Sequence, residues 1–230
     1  MTTTRLAIDI ETEANPDLIA SIPEPEVAAG NLKDPFKIAE KQAQARIDQV
    51  AKMALDPHYG RILSVGFACQ EKAGTLSSFH VMRGDPGCET EADMIGQAWG
   101  IITEHAGGYA TFNGSAFDLP YMVRRSMLLG VGVVKLPCGK YQTADCKAEH
   151  LDVYNLLANG DSNPLRLPRT LAYFAKSLLG RTCPHANVDH ATLGQLFASG
   201  QAGRKVVAEI NQWDAESTLL LAELCERYYL

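Results

Sequence analysis

The hydrophobic period changes along this chain, and the order of those changes limits the folds open to it. Leu6-Ala7-Ile8-Asp9-Ile10 reads as a short buried strand. Arg61 to Cys69 and Leu76 to Met82 read as a central strand and its antiparallel neighbour, with a turn near Ala73-Gly74. Glu89 to His105 takes a helical period through Ile95, Ala98, Trp99 and Ile102. Gly108 to Phe112 is a fourth strand, and Leu119 to Leu129 a helix closed by Gly130. Shorter helices are predicted at 151–158, 168–179 and 191–199, and a long one from about Lys205. Residues 13–57 read as an insertion between the first two strands, part loop and part helix. Within it, Asp34 to Lys52 carries an apolar stripe of Ala39, Ala43, Ile47 and Val50. Three strands, a helix, a further strand and then mostly helices predict an α/β sandwich, a mixed central sheet flanked by helices. No repeat or low-complexity tract divides residues 1–230, so a single domain is expected.

Two places in this pattern carry chemistry. The first strand ends in Asp9-Ile10-Glu11-Thr12. Strand side chains alternate faces, so Asp9 and Glu11 point the same way. Two adjacent carboxylates repel unless a cation or proton lies between them, and a hard divalent ion is the natural partner. An acidic strand end fraying into a loop would also read this way. The second place runs Thr111-Phe112-Asn113-Gly114-Ser115-Ala116-Phe117-Asp118-Leu119-Pro120-Tyr121 and on to Arg124-Arg125. It turns a strand into a helix, with Asp118 at the helix N-cap position and Pro120 in the first turn. A cap alone does not require so particular a phrase. A fourth acid, Asp214, stands in the final helix before a Leu-rich stretch, where a solvated helix acid would be unremarked.

Composition bounds the partners. A hydrophobic content of 46% suits a globular core, and no apolar run is long enough to span a bilayer. The N-terminal Met1-Thr2-Thr3-Thr4-Arg5 lacks the features of a signal peptide. The six cysteines include no Cys-x-x-Cys pair, so reduced thiols and a cytoplasmic location are expected. Cys183, His185 and His190 have zinc-ligand chemistry but not the paired ligand spacing, and are expected to form a polar loop. A net charge of −6 argues against broad coverage of duplex phosphates and leaves room for a grip on one strand end.

Together, Asp9, Glu11, Asp118 and Asp214 resemble, in order and local context, the four metal-binding acids of DEDD 3′–5′ exonucleases. The resemblance is closest to the proofreading domains of family B DNA polymerases and the stand-alone phage and bacterial exonucleases related to them. The segment Phe112-Asn113-Gly114 with Phe117-Asp118-Leu119-Pro120-Tyr121 is its most specific part. Weaker parts are Asp56-Pro57-His58-Tyr59-Gly60-Arg61-Ile62, His150-Leu151-Asp152 opening a helix, and Asn31-Leu32-Lys33-Asp34-Pro35 in the insertion.

The resemblance implies a ribonuclease H-like fold and two Mg²⁺ or Mn²⁺ ions about 4 Å apart on the scissile phosphate. It implies that Asp9 bridges the ions, Glu11 and Asp214 hold one and Asp118 the other. It implies release of nucleoside monophosphates from single-stranded DNA or frayed primer 3′ ends, in the cytoplasm of a bacterium or phage-infected cell. RNA 3′ ends are the first alternative substrate. A catalytically weak nucleic-acid-binding or replisome-contact module of the same fold is the second. Thr12, Asn113, Phe117, Leu119, Tyr121 and Arg124 become substrate-binding candidates. Arg124, Arg125, Lys140 and Lys147 are the basic residues expected to meet phosphate.

One departure stands out. These enzymes orient the attacking water with a Tyr four residues before the last Asp or a His five before it. Here those positions hold Ile210 and Glu209. Glu209 is the catalytic candidate in their place, and a Tyr at position 210 is expected to raise activity.

Overall fold

The computed structural model describes residues 5–27, 34–71, 75–105, 108–133, 149–158 and 168–229. In chain order its strands are β1 (Leu6–Ala14), β2 (Gly60–Gln70), β3 (Leu76–Met82), β4 (Tyr109–Thr111) and β5 (His150–Asp152). Its helices are α1 (Pro35–Met53), α2 (Glu91–Glu104), α3 (Asp118–Leu129), α4 (Val153–Ala158), α5 (Leu171–Leu179), α6 (Leu193–Ala198) and α7 (Gln201–Tyr229). Short 3-10 turns at Pro16–Ser21 and His190–Thr192 complete the list. The predicted turn at Ala73-Gly74, the segment Asn31-Leu32-Lys33, and Lys140 and Lys147 lie outside the described residues.

The sheet order is β3-β2-β1-β4-β5. The first three strands form an antiparallel meander, and β4 and β5 join β1 in parallel. This is the mixed sheet of a ribonuclease H-like α/β fold. One expectation needs correcting here. His150-Leu151-Asp152 does not open a helix but forms β5, and the helix begins only at Val153. Three residues are too few to display a period, so the strand was invisible to pattern reading.

Alternation divides β1 between two faces. Leu6, Ile8 and Ile10 join Ile62, Val65 and Phe67 in one core, which Ile95, Ala98, Trp99 and Ile102 of α2 and Leu119 and Met122 of α3 cover. Ala7 faces the other way with Ala68 and Ala110, against Ala215, Leu219 and Ala222 of α7. Small residues on this second face let α7 approach closely. At Gly66 a Cβ would lie 2.7 Å from the Asn211 carbonyl oxygen, so glycine is required there. Asp9 and Glu11 follow Ala7 on the α7 face by the same alternation. A β-bulge between Glu11 and Thr12 then sharpens the twist where the strand leaves the sheet.

The helix of the 13–57 segment forms as predicted, but its apolar stripe is not core. Ala39, Ala43 and Ile47 are exposed, and Met53 is the buried residue of α1. Arg46 ties the helix to the preceding loop through the carbonyl oxygens of Ile19, Ile22 and Pro23.

Candidate active site

A cleft of about 540 Å³ opens at the carboxyl ends of β1 and β4. Asp9, Glu11, Thr12, Asn113, Phe117, Asp118 and Asp214 line it, together with the C-terminal end of α1 and with His190. Asp9, Glu11 and Asp214 each offer a carboxylate oxygen, all within 4.8 Å of one another. Asp214 comes from α7, more than two hundred residues from Asp9 in sequence, because α7 crosses the face to which β1 alternation sends both acids.

Asp118 joins them by a different route. Its expected role as a helix N-cap is corrected: Phe117 occupies the N-cap position, and Asp118 is the first helical residue. Its Oδ1 instead accepts a hydrogen bond from the Ile10 amide at 3.1 Å. The amides of Leu6 and Ile10 project from the same edge of β1. Leu6 reaches the Gly108 carbonyl, but β4 ends at Thr111 and leaves Ile10 for Asp118. The turn before Asp118 is fixed by Asp152 at the end of β5. Its carboxylate accepts from the Asn113 amide at 2.9 Å, the Ser115 amide at 3.0 Å and the Ser115 hydroxyl. Asn113 takes the left-handed conformation with φ 63°, which Asn tolerates better than most residues.

The electrostatics of this cluster are unfavourable as it stands. Burial, and then the charges of Asp214, Asp118 and Glu11, push the Asp9 carboxyl well above the usual range. Burial pushes Asp118 up to about 7, although the backbone amides of Asp118 and Ile10 pull it down. Asp214 is raised well above its usual value by burial and then by Glu11. Carboxylates that are buried, as Asp118 is, or half-buried, as Asp9 and Asp214 are, and that have raised pKa values lack enough positive charge nearby. Hard divalent cations with oxygen ligands fit this donor set.

Sequence reasoning missed two residues. Asn211, fully buried on α7, donates from Nδ2 to Asp9 Oδ2 at 2.7 Å. Its Oδ1 accepts from the Ser64 hydroxyl at 2.6 Å, so the amide orientation is fixed and the Asp9 carboxylate is held. Its signal was its place one turn before Asp214. His190 Nδ1 stands 3.6 Å from Glu11 Oε2, at ion-pair rather than hydrogen-bond range. The interaction with Glu11 raises the imidazole to about 9 against the opposing effect of burial, and Asp214 and Asp189 add to it. No strand or helix period marks a histidine in a 3-10 turn, and only the fold brings it to Glu11.

Several expectations fail on placement. Glu209 points away from the acids and pairs with His185 at 2.7 Å. At about 100° per residue, a helix position five before Asp214 cannot share its face. Ile210 is 1% exposed and packs with Leu63, Met82, Leu193 and Val207, so a Tyr there would overpack the core rather than reach the cleft. Leu119 and Tyr121 lie in the core, because the α3 positions 119, 121 and 122 face the sheet. Arg125 is buried and holds Glu91 through Nε at 2.9 Å, so it is structural. Arg124 is exposed and does not line the cleft. Apart from these failures, His185 and His190, in the segment expected to be a polar loop, pair with Glu209 and Glu11.

Comparison with known proteins agrees with this geometry. Residues 52–167, half of the chain, match the model of a family described as predicted 3′–5′ exonucleases related to the exonuclease domain of PolB. The fold resembles that of the family B DNA polymerase from the hyperthermophilic archaeon Pyrobaculum calidifontis, with a TM-score of 0.62 and 17% identity. That alignment covers 98% of this chain and 25% of the polymerase chain. No curated protein matches the sequence. The chain belongs to the family of predicted 3′–5′ exonucleases related to the exonuclease domain of PolB.

Proposed function

We propose that the chain is a divalent-metal-dependent 3′–5′ exonuclease acting on single-stranded DNA ends. The observation that carries this reading is the meeting of Asp9, Glu11 and Asp214 within 4.8 Å, beside a buried Asp118, in an open cleft. Asp9, Glu11, Asp118 and Asp214 would hold Mg²⁺ or Mn²⁺. Such ions supply a water acidic enough to attack phosphorus and neutralise charge on the leaving 3′ oxygen.

The protein's own groups do the rest. Asn211 keeps one Asp9 oxygen fixed, and the Ile10 amide does the same for Asp118. Asn113, Phe117 and Thr12 form the wall against which the terminal nucleotide rests, with Phe117 offering an aromatic face to a base. His190 takes the water-orienting role that Glu209 cannot take, because it alone of the two reaches the cleft; the role requires that bound cations take up the Glu11 charge and leave the imidazole neutral, with one nitrogen to accept from the water.

Two outcomes test this assignment. Single-stranded DNA should be degraded faster than blunt duplex, since a chain of net charge −6 has little with which to grip a second strand. Side-by-side time courses on labelled single-stranded DNA, duplex DNA and RNA measure this. Faster loss of RNA would move the assignment to the RNA reading. His190→Ala should lower turnover by roughly 10²-fold, with oligonucleotide affinity little changed, as for loss of water-positioning help. Glu209→Gln should leave turnover unchanged. The reverse pattern in steady-state kinetics would return the role to Glu209.

A further inference from the structure

The helix α1 is an anomaly in energetic terms. It runs for 19 residues, yet Met53 alone is buried. Phe36 at its far end is 86% exposed, and Leu55, just past its near end, is 62% exposed. A helix that covered the core would not leave these side chains in water. Its charge is equally unusual. Its exposed cations are Lys37, Lys41 and Lys52, against Glu40 and Asp48, while Arg46 is taken up by the loop before the helix and by Glu24, so the helix is basic in a chain of net charge −6. The near end of this basic helix forms one wall of the acidic cleft, through Asp48, Ala51, Lys52 and Leu55. From Lys52 the helix leads away from the cleft for roughly 24 Å, at 1.5 Å per residue, to Lys37 and Phe36.

We propose that α1 is a nucleic-acid arm that carries the single strand trailing behind the 3′ nucleotide. Lys52 meets the first phosphates outside the acid cluster, and Leu55 lies against a base at the mouth of the cleft. Lys37 and Phe36 serve a more distant phosphate and base in the same way. Two observations favour nucleic acid over a protein partner. The surface is continuous with the cleft that receives the strand end, and its exposed cations complement phosphate while the rest of the chain is acidic. Alternating cation and aromatic contacts grip a single strand without reading its sequence. The inference rests on the exonuclease reading for the direction of the strand.

The test compares two fluorescent oligothymidylates by anisotropy, with Ca²⁺ in place of Mg²⁺. One is short enough to fill only the cleft, and the other is long enough to follow the helix. The wild type should bind the long one more tightly. Phe36→Ala combined with Lys37→Glu should shrink that advantage by at least about tenfold, since each stacked base alone contributes about fivefold or more. Lys37→Glu alone should reduce the slope of log affinity against log salt by about 0.7, the value for one lost phosphate on a single strand. Both residues are solvent-exposed, and unchanged thermal melts would show that the fold is intact. No length advantage in the wild type, or an advantage preserved in the double variant, overturns the arm. So does an unchanged affinity accompanied by loss of self-association in sedimentation, which would make α1 a contact between copies. Hydrolysis of the same oligonucleotides in Mg²⁺ is scored separately. Failure of the wild type to degrade either one removes the exonuclease reading, whatever the affinities show.

Discussion

Asp9→Ala should reduce turnover by at least about a thousandfold, because it removes the carboxylate that faces Glu11, Asp214 and Asp118 together. The fold should survive. Its effect on metal-free stability is a contest between two terms. Removing this half-buried charge relieves the repulsion that helps raise the Asp9 pKa. It also orphans the Asn211 Nδ2 donor, which costs about 1–3 kcal/mol when buried. Asp9→Asn separates the terms. It removes the charge but keeps an oxygen for Asn211, so it should melt higher than the metal-free wild type, by about 2–4 °C for each kcal/mol gained. Differential scanning calorimetry in EDTA, beside steady-state rates, checks both variants. An Asp9→Asn protein that melts below the wild type would mean that repulsion at this site is small.

Stability without metal should fall as pH rises, which is the reverse of ordinary acid denaturation. The sign follows from the direction of the shifts. Asp9, Asp118 and Asp214 all hold protons more tightly when folded than when unfolded. Between the unfolded value near 3.8 and the Asp118 value of about 7, the folded state binds more protons, so each step up in pH favours unfolding. His190 contributes in the same sense. Its stabilisation is full below its usual value and is lost as pH rises through about 9, though solvent screens an imidazole 62% exposed. The buried Asp118 alone implies an effect on the order of a few kcal/mol. Mg²⁺ or Mn²⁺ should invert the trend, because the cations bind deprotonated carboxylates and gain affinity as pH rises. Thermal melts across about pH 5 to 8, with EDTA and with Mn²⁺, read the two slopes directly. Parallel slopes in the two series would contradict the placement of ions among these acids.

How much of this was legible in the sequence depended on how far each feature reaches through space. Strands β2 and β3 and helices α2 and α3 carry period-two and period-3.6 patterns, and they form within two residues of their expected limits, whereas β1 runs four residues past its expected end at Ile10, to Ala14. Asp9 and Glu11 share a face by strand alternation alone. The phrase around Asn113 to Tyr121 marked the strand-to-helix turn before any contact was known. What failed was geometry set by tertiary packing. Strand β5 is three residues long, and its neighbour β4 supplies the pairing that makes it a strand. Leu119 and Tyr121 sit in a cleft motif, but their helical positions turn them to the core. The face of α7 that meets the acids lies one residue on from the position that motif spacing predicts. Asn211 rather than Ile210 reaches Asp9, because Ile210 packs beneath β2 and α6. His190 had no periodic signal, and the loop that carries it reaches Glu11 only once α6 has docked on β1.

A time course on a single-stranded DNA carrying a 5′ label tests the central claim most directly. The account predicts a ladder that shortens one nucleotide at a time in Mg²⁺ or Mn²⁺ and does not form in EDTA, with unlabelled nucleoside monophosphates as the released product. Immediate appearance of labelled mononucleotide, or a ladder that persists in EDTA, would contradict it.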